Sequence, residues 1–186
     1  MAATVTNLIM GPADLYVGSF GATEPLDTAI NTTPASSSWT DVGGTQDGVK
    51  ITIDQEYTEL EVDQIVDVPG ARLTKRVVEV ETNLAEATLE NLKFLLNDGT
   101  AASGSGYKSL EPVYASSATQ PTYRAVLLDG YAPDGRRRRV IVRKVLSNDK
   151  VESTYKKDDQ TLFSVKWASF YVSSSIAPFK IIDATS

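Results

Sequence analysis

Apolar and polar residues alternate along most of this chain, and a single stretch replaces that period with a helical one. Val49, Ile51 and Ile53 alternate with Lys50, Thr52 and Asp54. Phe163, Val165 and Trp167 alternate with Ser164 and Lys166, and the pattern runs on to Tyr171. Two-residue spacing puts one set of side chains on one face of a strand. Such a chain must build sheets and cover their apolar faces. Ala13 to Val17, Tyr123 to Leu128 and Val140 to Leu146 read as further strands, the last two joined by a turn at residues 129–135. Val151 to Tyr155 is a weaker strand pattern. Val68-Pro69-Gly70 marks a turn, and Leu73 to Thr82 is the return strand. Val77 and Val78 point to opposite faces, so part of that strand is expected to be covered on both. After Gln64 the alternation slips, because Ile65 takes an odd position, and this predicts a β-bulge there.

The helical stretch is residues 84–96. Leu84, Thr88, Leu92 and Leu95 fall near helical spacing, with Leu89 and Leu96 beside them. Asn83 is a good N-cap and Glu86 sits three residues on, as in a capping box. Asn97-Asp98-Gly99 supplies the stop. Residues 99–106 are small and Gly/Ser-rich and read as a loop. One helix among roughly seven or eight strands predicts a mainly β fold. The expected form is two packed β-sheets, a sandwich or partly closed barrel, with the helix on one flank.

At 186 residues the chain is most simply one domain. It divides into an N-terminal arm with the first strand (1–38), a β core (39–172) and a C-terminal arm (173–186). Residues 1–38 are rich in Thr, Ser, Pro and Ala, too poor in apolar surface to order alone. They read either as a floppy terminus or as an arm that orders on a neighbour. The tail at residues 176–182 is short and apolar.

Composition removes several chemistries. There is no histidine and no cysteine. That takes away the commonest general base and metal ligand, the Ser-His-Asp triad, thiolate metal sites and disulfides. No catalytic residue, metal ligand or cofactor site is expected. The net charge is −6, from 24 acidic and 18 basic residues. A general pull toward nucleic acid or an anionic membrane is disfavoured. The first cationic residue is Lys50, so no basic leader precedes an apolar run. The simplest reading is a soluble cytoplasmic protein.

Two charged runs stand out. Asp54, Glu56, Glu59, Glu61, Asp63 and Asp67 follow one another with no cation between them. The two-residue period places Glu59, Glu61 and Asp63 on one strand face, which must be wet because like charges repel. The readings are a solvated outer face, the wall of an aqueous channel, or a glycosidase-like carboxylate pair. Carboxylates on one strand suit the last poorly, since an acid and a nucleophile must face each other across a cleft. The second run is Arg136, Arg137, Arg138 and Arg139, with Arg143 and Lys144 following, and a phosphate-binding patch is one reading of it. No aromatic residues interleave with it, as a single-strand nucleic-acid platform would need. It reads as a charged strand edge that blocks wrong pairing, or as a positive face that meets the acidic face of the next subunit. Gly43-Gly44 opens no helix and makes no phosphate loop. Trp39 and Trp167 suit a core better than a sugar platform. Tyr107, Tyr114, Tyr123 and Tyr131 are scattered and carry no assigned role.

One stretch orders these parts. Trp39, Asp41, Gly43 and Thr45 lead into Asp47-Gly48-Val49, and Val62-Asp63-Gln64 follows. Leu84-Ala85-Glu86 comes next, and Phe179-Lys180-Ile181-Ile182 closes the chain. This order resembles the tail tube (major tail) proteins of long-tailed bacteriophages. The resemblance implies two packed β-sheets with a flanking helix. It also implies a structural virion protein whose hexameric rings stack into a hollow tube. Its implied partners are other copies of itself, a tape-measure protein, a tail initiator or distal tail protein and a terminator. Genomic DNA would pass through the lumen without specific binding. The implied place is the virion tail, assembled in the host cytoplasm. The arginine run maps to no motif of that family. Other readings are a ring-forming tail terminator, a β-sandwich carbohydrate-binding module and a two-carboxylate hydrolase.

Overall fold

The structure, a computed structural model, describes residues 4–113 and 116–185, which leaves Tyr114 outside it. The strands are β1 (Asp14–Ser19), β2 (Trp39–Asp41), β3 (Thr45–Leu60), β4 (Gly70–Leu84), β5 (Thr100–Gly104), β6 (Tyr107–Glu111), β7 (Arg124–Tyr131), β8 (Arg137–Ser147), β9 (Phe163–Ser169) and β10 (Phe179–Asp183). The helix α1 is Leu89–Leu95. The large sheet runs β2-β1-β7-β8-β9-β4-β3, with β10 also paired to β8, and β5-β6 form a second sheet. The fold is mainly β, with two sheets and one flanking helix, as the alternation predicts.

β8 turns the large sheet over on itself. Its residues Arg138 to Val142 pair with β10, and Val145 to Ser147 pair with β9. β7 lies along the other edge, with a register break between Arg124 and Val126. One edge of β8 therefore has two successive neighbours, and the sheet bends where they change over. The bend brings the two halves face to face. Leu15, Val17, Val126, Val140 and Val142 meet Val78, Val80, Leu84, Phe163, Val165 and Trp167 in one cluster. Trp167 is fully buried, so it is core, and replacing a tryptophan at such a site costs about 3–5 kcal/mol. The opposite face of the first half carries Tyr16, Trp39, Ala125, Leu127 and Ile141.

The helix begins later than its sequence suggests. Asn83 and Leu84 stay in β4, opposite Gln46 and Thr45 of β3 and Ser164 and Phe163 of β9. Thr88 is the N-cap, and its side chain accepts from the Asn91 amide at 3.1 Å. Glu86 instead accepts from the Gly44 amide at 3.2 Å. Leu84 is completely buried between two strands, and that ladder outweighs a local cap. Leu92 and Leu95 dock α1 on the core. Buried Asn91 donates to the carbonyls of Val42 and Glu86 at 2.8 and 2.9 Å. Asn97 then leaves the helix with φ 58°.

Several other expectations are corrected. Residues 99–106 are not a loop but enter the β5-β6 hairpin, which turns at Gly106 with φ 85°. Val151 to Tyr155 forms no strand. β3 stops at Leu60, so no bulge occurs at Gln64. The irregularities lie at Gln46/Val49 and Glu56/Tyr57 instead. Residues 20–38 are not a floppy terminus, because they strap across the outer face of the molecule's own sheet. The Trp39 indole donates to the Thr23 carbonyl at 2.9 Å, and Ile30 is buried. The apolar C-terminal tail is strand β10.

Thr88→Ala is expected to cost about 1 kcal/mol, the usual loss for an N-cap. Asn83 is half-buried and bonds the Asp47 and Ser164 side chains but caps no helix, so Asn83→Ala should cost less than Thr88→Ala. Urea unfolding that gave the reverse order would restore the earlier helix start.

Candidate assembly surfaces

The β3-β4 hairpin outruns the sheet that covers it. β4 pairs with β9 only from Glu79 to Leu84. Residues 70–77 are strand-paired with β3 alone. The inward stripe of the core nonetheless continues along the bare ribbon. Val78 and Val80 are buried, and Val49 and Ile51 are partly buried against the core. At the same two-residue spacing come Ile53, 43% exposed, and Tyr57, 59% exposed. Leu73 faces Tyr57 across the ladder and is 36% exposed. Tyr57 donates to the Gln55 amide oxygen at 3.2 Å, so these side chains share that face. Beyond Leu60 the tip loop bares Val62, Ile65, Val66 and Val68.

The acidic residues occupy three places on this ribbon. Asp54 and Glu56 lie on its other face, in line with Thr52 and Lys50 and across from Val77 and Lys75. That face is a mixed lattice, with Lys50–Glu81 at 3.1 Å, Lys75–Glu56 at 2.8 Å and Lys166 reaching Glu79 and Glu81 at 2.8 and 3.1 Å. Glu59 stands opposite Ala71 near the strand end. Glu61, Asp63 and Asp67 are in the tip loop, so Glu59, Glu61 and Asp63 do not share one strand face. All six are exposed. Among the described residues, no cation pairs with Asp54, Glu59, Glu61, Asp63 or Asp67.

The arginine run is mostly spent inside the subunit. Arg139 is fully buried and donates to both oxygens of buried Asp129 at 2.6 Å. Its remaining hydrogens reach the carbonyls of Thr32 at 2.8 Å and of Ala29 and Ile30 at 3.4 Å. Arg143 forks onto Glu24 and donates to the Ala177 carbonyl at 2.8 Å. Arg138 forks onto Asp183 at 2.6 and 2.7 Å. Arg137 lies 3.7 Å from Asp129. Arg136 is exposed, and its side chain has no ion pair among the described residues. The expected open basic face is therefore corrected to Arg136 with part of Arg137. Arg139 and Arg143, with Lys180 on Asp27 at 2.6 Å, clamp the 20–38 strap. These partners are distant in sequence, and the run itself gave no sign of them.

Among the described residues, no group of three or more acidic side chains is placed to hold a metal ion. Among the same residues, no helix is long and apolar enough to cross a membrane. What the surface offers is a bare ribbon and unpaired charge, features of a chain that contacts other chains. A family model described as phage tail tube protein matches residues 3–182. The chain belongs to the phage tail tube protein family. No curated protein matches it. Tail tube proteins are structural components of the virion tail and not catalysts.

Two predictions follow from these charges. Arg139→Ala strands a buried carboxylate and should cost about 3–5 kcal/mol. Arg139→Lys should also be costly, because an ammonium cannot fork onto Asp129 while reaching three carbonyls. Denaturant unfolding checks both, and a loss under ~1 kcal/mol would contradict the clamp. The second concerns acid. The Gly99 amide, then Lys93 and Thr122, hold Asp98 below the ordinary carboxylate range. Arg138 does the same for Asp183, as do Lys166 and Lys50 for Glu81 and Lys108 for Glu90. The unfolded chain therefore takes up protons first as pH falls. This stabilisation is complete above the unfolded values of about 4 and is lost as pH drops through the lowered folded ones. With no histidine, Tm should be nearly flat from pH ~7 to ~5 and fall below pH ~4. A decline centred between pH ~5 and ~7 would contradict this.

Proposed function

We propose that this tail tube protein closes into hexameric rings that stack head to tail into the hollow tube through which the phage genome leaves. The bare β3-β4 ribbon carries this reading. Its inward stripe is built like core yet has no cover in the subunit, and a neighbouring copy supplies that cover. Permanent interfaces of this kind bury on the order of 2,000 Å² or more. Edge-to-edge closure also removes the open edge of β3, a long strand paired on one side only.

The whole chain acts as one tube domain, with the segments before β1 and around β10 at its periphery. Asp54, Glu56, Glu59, Glu61, Asp63 and Asp67 line the lumen or the ring-stacking surface. Those that face the lumen repel phosphates, so DNA slides without sticking, at a range of about 8 Å at physiological salt. Arg136 and Arg137 give the cationic part of the facing intersubunit surface. The other partners are a tape-measure protein that fills the lumen before DNA, a distal initiator and a terminator. Assembly takes place in the host cytoplasm.

Negative-stain electron microscopy of the concentrated protein tests the reading. Hollow tubes are expected, and single rings alone would favour a terminator. Glu59→Lys with Glu61→Lys should leave the subunit folded and sharply reduce tube length or DNA release. Wild-type tubes and release from that variant would remove the acidic run from the assembly.

A further inference from the structure

The ribbon tip is apolar and acidic, and a groove on the outer face is apolar with cations beside it. Val62, Ile65, Val66 and Val68 are bared at the tip, and Val66 has no cover at all. Glu59, Glu61 and Asp67 stand among them without cationic partners among the described residues. On the outer face, beside the strap, lies a cavity of about 240 Å³ walled by Phe20, Ala22, Trp39, Ile141, Val172 and Ile176. It is roomier than the ~150 Å³ apolar cavity that takes up a benzene ring. A second depression adjoins it at Ile176 and reaches Arg76 and Tyr171. Arg143 on the wall of the first is neutralised by Glu24. Lys144 lines neither depression but stands beside Phe20, which lines the first: its ammonium lies over the Tyr123 and Phe20 rings at 4.2 and 5.3 Å, with no carboxylate partner among the described residues. Arg76 likewise has no ion pair there.

We propose that the tip loop of one copy inserts Val66 and its apolar neighbours into this groove on the next copy. The tip carboxylates then settle against Lys144 and Arg76. The inference rests on the tube reading and names the contact that reading leaves open. Two different surfaces of one chain meet, so the contact is heterologous and propagates from copy to copy. Apolar burial supplies the attraction, and the opposite charges fix the direction of docking.

The chain has no cysteine, so introduced thiols report without background. V66C chains and I176C chains, each altered at an exposed position, are mixed in equal amounts, concentrated and oxidised. A disulfide forms only where Cα atoms come within about 7 Å. A mixed dimer linking the two positions is expected in several-fold excess over either homodimer, identified by peptide mass. Homodimers alone, or no cross-link, would overturn the contact. Microscopy of the same sample separates the two claims. Tubes without the mixed disulfide remove the tip-in-groove contact and leave the tube reading intact. The mixed disulfide without tubes upholds the contact and counts against the tube. Absence of both removes both.

Discussion

β4 is much longer than the neighbour that could cover it. β9 pairs with its last turn of sequence, Glu79 to Leu84, and nothing pairs with the earlier part except β3. A two-stranded ribbon is marginal alone in water. This one also carries Ile53, Tyr57 and Leu73 where core residues would stand. Exposed apolar surface rimmed by charge marks a contact with another molecule. The subunit thus holds its body together with buried side chains and leaves one limb without cover of its own. The unpaired acids around that limb serve the free subunit too, since like charges keep one ribbon from pairing with another.

The body can afford such a limb because its other loose parts are tied down. The strap at residues 20–38 has few apolar side chains to bury. It is held instead by Arg139 on its carbonyls and by Arg143 and Lys180 on Glu24 and Asp27. A buried pair such as Arg139–Asp129 adds little net stability over an apolar pair of the same shape. Its value here is directional, because a fork with three spare donors accepts one placement of the strap. That placement closes one side of the apolar groove, so the clamp and the groove are parts of one construction.

Much of the body was legible from alternation alone. β9 was written in Phe163, Val165 and Trp167, and β7 and β8 in the runs after Tyr123 and Val140. The two sheets with a flanking helix followed from these. The helix start was misread because Asn83 and Glu86 imitate a cap, while the burial of Leu84 between β3 and β9 is a long-range fact with no local mark. The β5-β6 hairpin was missed because Ala101, Ala102 and Ser103 are too small to show a period. For the surfaces, the acidic run marked the exposed ribbon and its tip, but the end of β3 at Leu60 was invisible, and so was the split of the carboxylates between strand and loop. The arginine run looked open because Asp183 and Glu24 are far away in sequence, while Asp129, ten residues before Arg139, meets it only across the β7-β8 ladder.

Amide hydrogen exchange on the free subunit and on assembled material tests the central claim most directly. In the free subunit, residues 53–77 should exchange fast while β7, β8 and β9 stay protected. In the assembly the ribbon should gain protection by at least an order of magnitude, with little change in the body. Equal protection of the ribbon in both states would mean that it needs no neighbour, and the account of this limb as the assembly element would fail.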